Sequence, residues 1–375
     1  MIGLSHVAYC TGPFQLTFLL AALEVCGVSR EQCTILPFPG SARNNDLKKT
    51  LIKACSLLGM QTTDIDLLPL PTLSDAFHAR YSVQTERRLA FWYCQGIPYT
   101  SGALHHLRKT LSDTVFEYYD GLGSYIAASE QEKQRLSLSD AHGVSDLRQL
   151  AVQRLMRPDM HLMPGDNMWA RYASPETQSR TQYVSLDVIQ GKIKLVGNIL
   201  DNIDVEQWPP CDSPDVILVI AKLSEIRREV ALEQELRMYN DLLRTIRGAF
   251  KSASILAKTH PRSSPEKMHR LQEICAEHNA RLYTGQQLAE YFVERSGRRD
   301  VAFIGPPSSS FLSAIQFNYG SAFCLSQSFM ASYIGTGYRN DSWQTMHHRL
   351  MEVAGVATIN SLFELEVLMR EQKMG

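Results

Sequence analysis

Short apolar runs alternate with segments of helical periodicity through the second half of the sequence, and this alternation constrains the fold more than any other feature. Residues 216–221 (VILVIA) are apolar throughout, which is typical of a strand buried on both faces of a parallel sheet. Leucines at helical spacing follow, and further pairs of strand-like and helical segments come after them. The rhythm predicts a doubly wound α/β domain of about 150 residues.

The same pattern predicts individual elements in both halves. In the second half we predict strands at residues 216–221, 254–258, 281–283, 300–304, 321–325 and 356–359, with helices at 225–250, 265–278 and 286–294 and another that opens at serines 308 to 310. In the first half we predict strands at 6–10, 33–38 and 114–119, and helices at 15–26, 45–58 and 144–156. The pattern between residues 125 and 180 is too mixed to order any strands there.

Three prolines lie within residues 207–214 (QWPPCDSP), where they interrupt any regular element. The chain of 375 residues has the length of two domains of about 150 residues each. We predict two Rossmann-like domains, residues 1–206 and 207–375, that face each other across a cleft, with the last helix available to pack back on the first domain. Ligands of open α/β sheets bind beyond the carboxyl ends of the strands, so residues just after each strand are the candidates for a site.

The charge balance excludes one class of function. The sequence has 38 basic and 39 acidic residues and a net charge of −1, whereas a general nucleic-acid-binding protein needs a basic surface. The eight cysteines form no CxxC pair, which indicates buried thiols in a reducing compartment. The first ten residues, MIGLSHVAYC, lack the basic region of a signal peptide. We predict a cytoplasmic protein without a nucleic-acid partner and leave open a peripheral contact with a membrane surface.

Two predicted strand ends carry groups suited to acid–base chemistry. Asp120 and Gly121 follow the strand at 114–119, where a carboxylate can act as a general base and glycine permits a sharp turn. His260 follows the strand at 254–258, where it could donate a proton or a hydrogen bond. The alternatives are an ordinary Asp-Gly turn and an ordinary polar loop. Both interpretations stay open at this point.

A third strand end predicts a phosphate site. Ser308, Ser309 and Ser310 join the strand at 300–304 to a helix. A helix N-terminus presents free N–H groups and the positive end of its dipole, which together bind phosphate. An ordinary helix cap would explain one of these serines but less readily all three. Lys258 and Arg262 add positive charge around the second strand end.

Taken together, these motifs resemble those of bacterial sialyltransferases with the GT-B fold. Residues 119–121 (YDG), 260–261 (HP) and 309–310 (SS) are similar to the acidic-acidic-glycine, His-Pro and Ser-Ser/Thr motifs of that family, in the same order. Residues 11–15 (TGPFQ) resemble the Thr-Pro-Leu/Phe-Gln opening of the lipooligosaccharide and polysialic-acid branches. Two positions depart from the pattern, since Tyr119 replaces the first acid and Gly12 is inserted.

The resemblance implies an inverting transfer of sialic acid from CMP-sialic acid to a hydroxyl of a glycan acceptor. Asp120 would deprotonate that hydroxyl, and His260 would protonate or hydrogen-bond the departing phosphate, which Ser309 and Ser310 would hold. The mechanism needs no metal ion or other cofactor. The resemblance places further candidates around the nucleotide and phosphate (Ser308, Lys258, Pro261, Tyr283, Gly285 and Glu290) and around the acceptor or donor sugar (Thr11, Gly12, Gln15 and Gly121).

The same motif residues are also compatible with other functions. The donor could be another CMP-nonulosonate or CMP-Kdo, or the protein could bind nucleotide sugars or glycans without catalysis. A nucleotide-sugar epimerase would need additional acids that the sequence does not offer. Asp64-Ile65-Asp66 lies in an apolar run, and His105-His106 and His347-His348 have no carboxylate or cysteine at ligand spacing; we interpret the histidine pairs as solvated helix faces. The sequence makes no prediction of the acceptor, the linkage or the oligomeric state.

Overall fold

The structure is a computed structural model, and it divides the chain into two compact units, Met1–Ile199 and Leu200–Gly375. It describes residues 4–37, 45–63, 88–94, 114–119, 121–122, 124–125, 158–165, 168–203, 213–227, 230–335, 338 and 342–372. Most of the proline-rich segment at 207–214 lies outside the described residues, as do Asp120 and the predicted helix at 144–156. The division of chemical roles between the two domains therefore stays a prediction.

The first unit contains a seven-stranded sheet in which every neighbouring pair of strands is parallel. Its strands are β1 (Leu4–Cys10), β2 (Cys33–Pro37), β3 (Gln61–Thr62), β4 (Arg88–Cys94), β5 (Thr114–Tyr118), β6 (Met160–Pro164) and β7 (Thr181–Val184). The order across the sheet is β3-β2-β1-β4-β5-β6-β7. This is the doubly wound order, which reverses direction next to β1.

The described helices of the first unit are α1 (Pro13–Val25), α2 (Asn45–Leu57), the short α3 (Trp169–Tyr172) and α4 (Pro175–Gln178), and α5 (Leu186–Asp201), whose last two residues belong to the second unit. Pro13 stands in the first turn of α1, where a proline is preorganised and its missing N–H is harmless. The helix is apolar on almost every side and is buried from Leu16 to Leu23, which is why its sequence shows no polar face.

The second unit contains a six-stranded parallel sheet and confirms the predicted doubly wound domain. Its strands are β8 (Val216–Ile220), β9 (Ile255–Thr259), β10 (Arg281–Tyr283), β11 (Val301–Gly305), β12 (Gly320–Leu325) and β13 (Ala357–Ile359), in the order β10-β9-β8-β11-β12-β13. Its helices are α6 (Leu223–Ile226), α7 (Leu232–Ala249), α8 (Pro265–Glu277), α9 (Ala289–Ser296), α10 (Ser309–Gln316), α11 (Gln327–Ile334), α12 (Ser342–Val353) and α13 (Leu362–Gln372). The last helix, α13, packs on α7 of the same unit.

One predicted helix is wrong. The segment predicted as a single helix at 225–250 contains the short helix α6 and, separately, α7. Ala231 has an extended backbone with φ −70° and ψ 137°, so the long helix begins only at Leu232. Leucines at helical spacing continue on α7 and fill the core there, but spacing alone does not reveal where a helix starts.

A glycine closes β11 because the neighbouring strand leaves no room for a side chain. Gly305 has φ +149°, and a Cβ atom built on it would lie 2.5 Å from the carbonyl oxygen of Val219 in β8. A residue with a side chain would not fit at this position, just before the serine motif. This place lies where the strand order of the second sheet changes direction.

The described cysteines are free thiols, buried or partly buried, as predicted, and the reducing compartment stays a prediction. Six thiols are free and buried (Cys10, Cys33, Cys55, Cys94, Cys275 and Cys324), and the free thiol of Cys26 is partly buried. Burial raises the pKa of the Cys55 and Cys275 thiols to about 12, so these are packing residues and not nucleophiles. Among the described helices, none combines the length and the apolar character that a membrane span requires.

Candidate anion-binding site of the second sheet

The strand order brings three loops to one edge of the second sheet. Ile220 of β8 is paired with Thr259 of β9, and Leu218 of β8 is paired with Ile304 of β11. The carboxyl ends of these three strands therefore lie side by side, with β8 in the middle. The loops that follow them carry Lys222, His260 and Ser308 respectively. We call this place the anion site.

His260 is held as a neutral imidazole. Its Nδ1 accepts a hydrogen bond from the backbone N–H of Arg262 at 3.1 Å, which assigns the ring proton to Nε2. Burial, with the positive charges of Lys222, Lys258 and Arg262 nearby, holds the pKa of His260 well below its usual range. At neutral pH this side chain is therefore a hydrogen-bond donor through Nε2 and not a charged acid.

Lys222 also lies at this edge, within residues 221–224, which the sequence offers as a weaker candidate for the lining of a donor pocket because they follow the apolar run. It follows β8 and immediately precedes α6. Burial and the charge of Arg262 lower its pKa, while Glu225 opposes that shift. Two cations held this close to His260 repel each other, and an anion between them would relieve the repulsion. The only sequence signal was its place directly after the apolar run 216–221.

Hydrogen bonds from Lys258 and Thr259 connect the end of β9 to the end of β10 and the loop that follows it. Lys258 is buried, and its Nζ donates to the carbonyl oxygens of Thr259 at 2.7 Å and Gly285 at 3.1 Å. The Thr259 hydroxyl donates to the carbonyl oxygen of Tyr283 at 3.1 Å. Two predicted nucleotide contacts, Lys258 and Gly285, are therefore bound to each other, and a direct contact of either with a phosphate stays a prediction.

Two further candidates near this loop differ in exposure. Pro261 is exposed beside His260. Tyr283 is buried, and its ring packs edge-on against Phe292 at a centroid distance of 5.0 Å. The Tyr283 side chain is thus part of the core, and a contact of this residue with a nucleotide stays a prediction.

The serine motif forms the start of α10. The Ser308 hydroxyl caps the helix by accepting the backbone N–H of Ser310 at 3.3 Å. The Ser313 hydroxyl donates to the carbonyl oxygen of Ser309 at 3.3 Å. Glu290 is 2% exposed, and burial raises its pKa. Ser308 thus has the cap role that one serine was expected to fill.

One oxygen of Glu290 lacks a hydrogen-bond donor. Its Oε1 atom is buried and makes no hydrogen bond within the described part of the chain. A buried acceptor without a donor is costly. Because protein atoms enclose this oxygen, a contact of Glu290 with a nucleotide stays a prediction.

The first unit places its predicted candidates at the carboxyl edge of its own sheet. Thr11 and Gly12 follow β1, and Gln15 lies in the first turn of α1. Gly121 follows β5 with φ +74°, a conformation that favours glycine. The role of each stays a prediction, and Asp120 itself lies outside the described residues.

The tyrosine that replaces the first acid of the resembling motif is a packing residue. Tyr119 is 3% exposed. Its ring meets Phe18 edge-on at 4.6 Å and Tyr125 at 5.6 Å, with Phe14 at 6.4 Å. An ionised carboxylate in this aromatic cluster would be strongly disfavoured. The position therefore serves to pack α1 on β5.

A buried carboxylate at Glu117 was not selected from the sequence as a site residue. Its Oε2 accepts the Tyr93 hydroxyl at 3.0 Å, and Nδ1 of His161 lies 3.3 Å away. Its Oε1 makes no hydrogen bond within the described part of the chain. Glu117 and His161 are direct partners across β5 and β6, so the cluster depends on a strand pairing that the sequence pattern could not order.

The histidine pair of α12 corrects another expectation. His348 is buried, and its Nε2 lies 3.3 Å from the Tyr338 hydroxyl, so it does not lie on a solvated face. Burial lowers its pKa to about 4. Within the described residues, no three His, Cys, Asp or Glu side chains are grouped to hold a metal ion. Asp64, Asp66 and the pair at 105–106 lie outside those residues.

Comparison with known proteins supports the fold. No protein-family model and no curated protein matches this sequence. The α/β-galactoside α-2,3-sialyltransferase of the luminous marine bacterium Photobacterium phosphoreum superposes with a TM-score of 0.51 at 10% identity, over 94% of this chain and 97% of that one. A UGT transferase from Siraitia grosvenorii, solved in complex with UDP, also gives a TM-score of 0.51 at 10% identity, over 99% and 92%. These likenesses and the two parallel sheets show that the chain has the GT-B glycosyltransferase fold.

Proposed function

We propose that the protein is an inverting glycosyltransferase that moves sialic acid from CMP-sialic acid to a hydroxyl of a bacterial surface glycan, without a metal ion. The observation that carries the proposal is the anion site. A neutral histidine and a serine-rich helix start lie on either side of β8, with Lys222 and Arg262 beside the histidine. The match of this edge to the His-Pro and Ser-Ser motifs supports a phosphate as its ligand.

The leaving group fits the state of His260. In the transfer, the bond between the anomeric carbon and the phosphate oxygen breaks, and its electron pair stays on CMP. A phosphate monoester has a second pKa of about 6, so departing CMP needs no proton at neutral pH. The Nε2–H of His260, the hydroxyls of Ser309 and Ser310 and the start of α10 would stabilise the charge as it develops.

The acceptor half of the reaction is assigned to Asp120. The acceptor oxygen forms the new bond to the anomeric carbon on the face opposite the leaving phosphate, which inverts the configuration. Its proton passes to the Asp120 carboxylate, the group that the motif resemblance names as the base. Gly121, with its positive φ, provides the turn directly after this residue.

The proposal keeps Glu290 as a nucleotide contact only on the strength of the motif resemblance. Its side chain is buried and its Oε1 makes no hydrogen bond within the described residues, so a nucleotide would reach this oxygen only after neighbouring side chains move.

The test is an assay of donor use in the presence of EDTA. The protein is incubated with CMP-sialic acid, CMP-Kdo or a UDP-sugar and a panel of galactosides, and release of the nucleotide is followed. We expect release of CMP from CMP-sialic acid. If CMP is released only from CMP-Kdo, the donor is CMP-Kdo and not CMP-sialic acid. If UDP is released from a UDP-sugar, the donor is a UDP-sugar and the proposed donor is wrong. Nucleotide binding without release from any donor would favour a non-catalytic binding protein, and a strict metal requirement would contradict the mechanism.

A further inference from the structure

A network of buried charged side chains lies behind the anion site. Lys267, in the first turn of α8, has a side chain with no exposed surface, and its Nζ lies 2.6 Å from Glu235 Oε1 and 3.2 Å from Glu225 Oε2. Glu235 is also fully buried. Removing such charges from water is costly, and apolar side chains of similar size often give equal or greater stability. Stability alone is therefore a poor explanation of the network.

The network's remaining hydrogen bonds go to the backbone of the loop after β8. Glu235 accepts the N–H of Leu223 at 3.3 Å and of Ser224 at 3.0 Å. It also accepts the Ser224 hydroxyl at 2.7 Å. Lys267 donates to the carbonyl oxygen of Ala221 at 2.6 Å. Lys222 therefore lies between two residues whose backbone groups are both fixed by buried charges.

The same network reaches the loop that contains His260. Glu225 bonds to Lys267 with one oxygen, and with the other it accepts the backbone N–H of Ser264 at 2.9 Å. Ser264 closes the His260 loop and caps α8. The two loops that hold Lys222 and His260 are thus joined through three charged side chains, none of which lies in the motifs recognised from the sequence.

We propose that Glu235 and Lys267 are positioning residues, which fix the backbone of residues 221–224 so that the ammonium group of Lys222 stays beside His260 as a second contact for the donor phosphate. The proposal rests on the proposed function, because it assumes that a phosphate binds at His260. Neither Glu235 nor Lys267 is required to touch the ligand, since both act through the loop.

The test replaces the two charges in the full chain with apolar side chains, Glu235→Leu together with Lys267→Met. The unfolding temperature is measured, and the dissociation constant of CMP is determined by calorimetry. The double variant is expected to stay folded but to bind CMP about tenfold more weakly or worse, since a displaced hydrogen bond to a charged group is worth about that factor. Wild-type affinity in a folded double variant would overturn the proposal.

A milder variant decides the question if the double variant does not fold. Ser224→Ala removes only the hydroxyl's hydrogen bonds to Glu235 and, more weakly, Glu225, and should weaken CMP binding about threefold, the value of one ordinary hydrogen bond. Unchanged affinity there would count against the proposal. Adding Lys222→Met to the double variant should produce little further loss, because both changes remove the same contact; fully additive losses would contradict an action through Lys222.

A matched control lies at the opposite edge of the same sheet. Asp215 precedes β8 and bonds to Arg298 at 2.5 Å. Asp215→Asn should lower the unfolding temperature and leave CMP affinity unchanged, and an equal loss of affinity would show that any destabilisation has this effect. Failure of the wild-type chain to bind CMP would instead contradict the proposed donor, and the positioning role would fall with it.

Discussion

Each unit buries a carboxylate completely near the carboxyl edge of its sheet, and the two carboxylates are bonded very differently. Glu235 in the second unit accepts from a lysine, a hydroxyl and two backbone N–H groups. Glu117 in the first unit accepts from the Tyr93 hydroxyl and has His161 beside it, while its second oxygen makes no hydrogen bond within the described residues. One carboxylate fixes a loop, and the other is left with spare acceptor capacity.

The side chains around the carboxyl edges of the two sheets also differ. The second edge gathers the cations Lys222, Lys258 and Arg262 around a neutral histidine. The described part of the first edge gathers aromatic rings, among them those of Phe18, Tyr119 and Tyr125. A phosphate needs fixed positive charge and donors, whereas a neutral sugar hydroxyl needs only a base. The proposed function assigns the donor to the second edge and the acceptor to the first, and this assignment stays a proposal.

The strongest test of this contrast removes the proposed base. Asp120→Ala should lower turnover about 10³-fold or more, because the acceptor hydroxyl loses its proton acceptor, and CMP affinity should stay unchanged. Turnover is measured by CMP release and affinity by calorimetry. Asp187→Ala, an exposed residue in the first turn of α5, serves as the control and should leave both unchanged. Near-normal turnover of the Asp120 variant would show that another group is the base.

The next test compares the two buried carboxylates directly. Glu235→Gln leaves the buried ammonium of Lys267 short of one negative partner and should reduce the free energy of unfolding by about 3 kcal/mol. Glu117→Gln keeps a hydrogen-bonding group of the same shape and should cost about 1 kcal/mol. Both values come from denaturant unfolding. Equal losses would mean that the difference in bonding between the two sites has no energetic consequence.

The state of His260 is tested by turnover and its pH dependence. His260→Ala should lower turnover about 10²-fold, as expected for the loss of one preorganised donor. Because burial and the nearby cations hold its pKa well below 6.5, the wild-type rate should show no acidic limb near that pH. Protonation would appear only as the pH falls to the lowered value. A rate that declines with a midpoint near 6.5 would contradict a neutral donor.

The last test concerns the contact between β8 and β11 at Gly305. Gly305→Ala places a Cβ atom against the Val219 carbonyl in a strained backbone conformation, and we expect a loss of about 2 kcal/mol in unfolding free energy. Gly248→Ala is the control, since its Cβ would meet nothing within 4 Å. In a helix this change should stabilise by about 0.5–1 kcal/mol. Similar effects of the two changes would remove the steric role of Gly305.

Much of the fold was predictable because apolar runs and helical spacing are local signals. All six strands of the second sheet, β1, β2 and β5 of the first, and the cap at Ser308 follow from them. The run RLAFWYC of β4 is equally apolar, but we did not identify it as a strand. We did not predict the break between α6 and α7, because leucine spacing indicates which face of a helix is buried and not where its backbone hydrogen bonds stop.

The candidate site was predictable only in part, for a physical reason. His260 and Ser308 to Ser310 stand directly after strands, so their neighbours along the chain identify them. The contact between Lys267 and Glu235 joins residues 32 positions apart on two helices, and neither residue has an unusual local setting. Lys222 depends on that contact for its position. Contacts of this kind form only when the helices pack together, so no local sequence pattern predicts them.

The location of Glu235 on α7, outside both loops, has a consequence for redesign and for divergence. Exchanging the loops after β8 and β9 for those of another transferase, in order to change the donor, would leave Glu235 facing a foreign backbone. For such an exchange to succeed, the residues at positions 225, 235 and 267 would have to be replaced together with the two loops. In diverging homologues we expect these three positions to change together or not at all, so that their covariation would identify proteins that share this way of building the site.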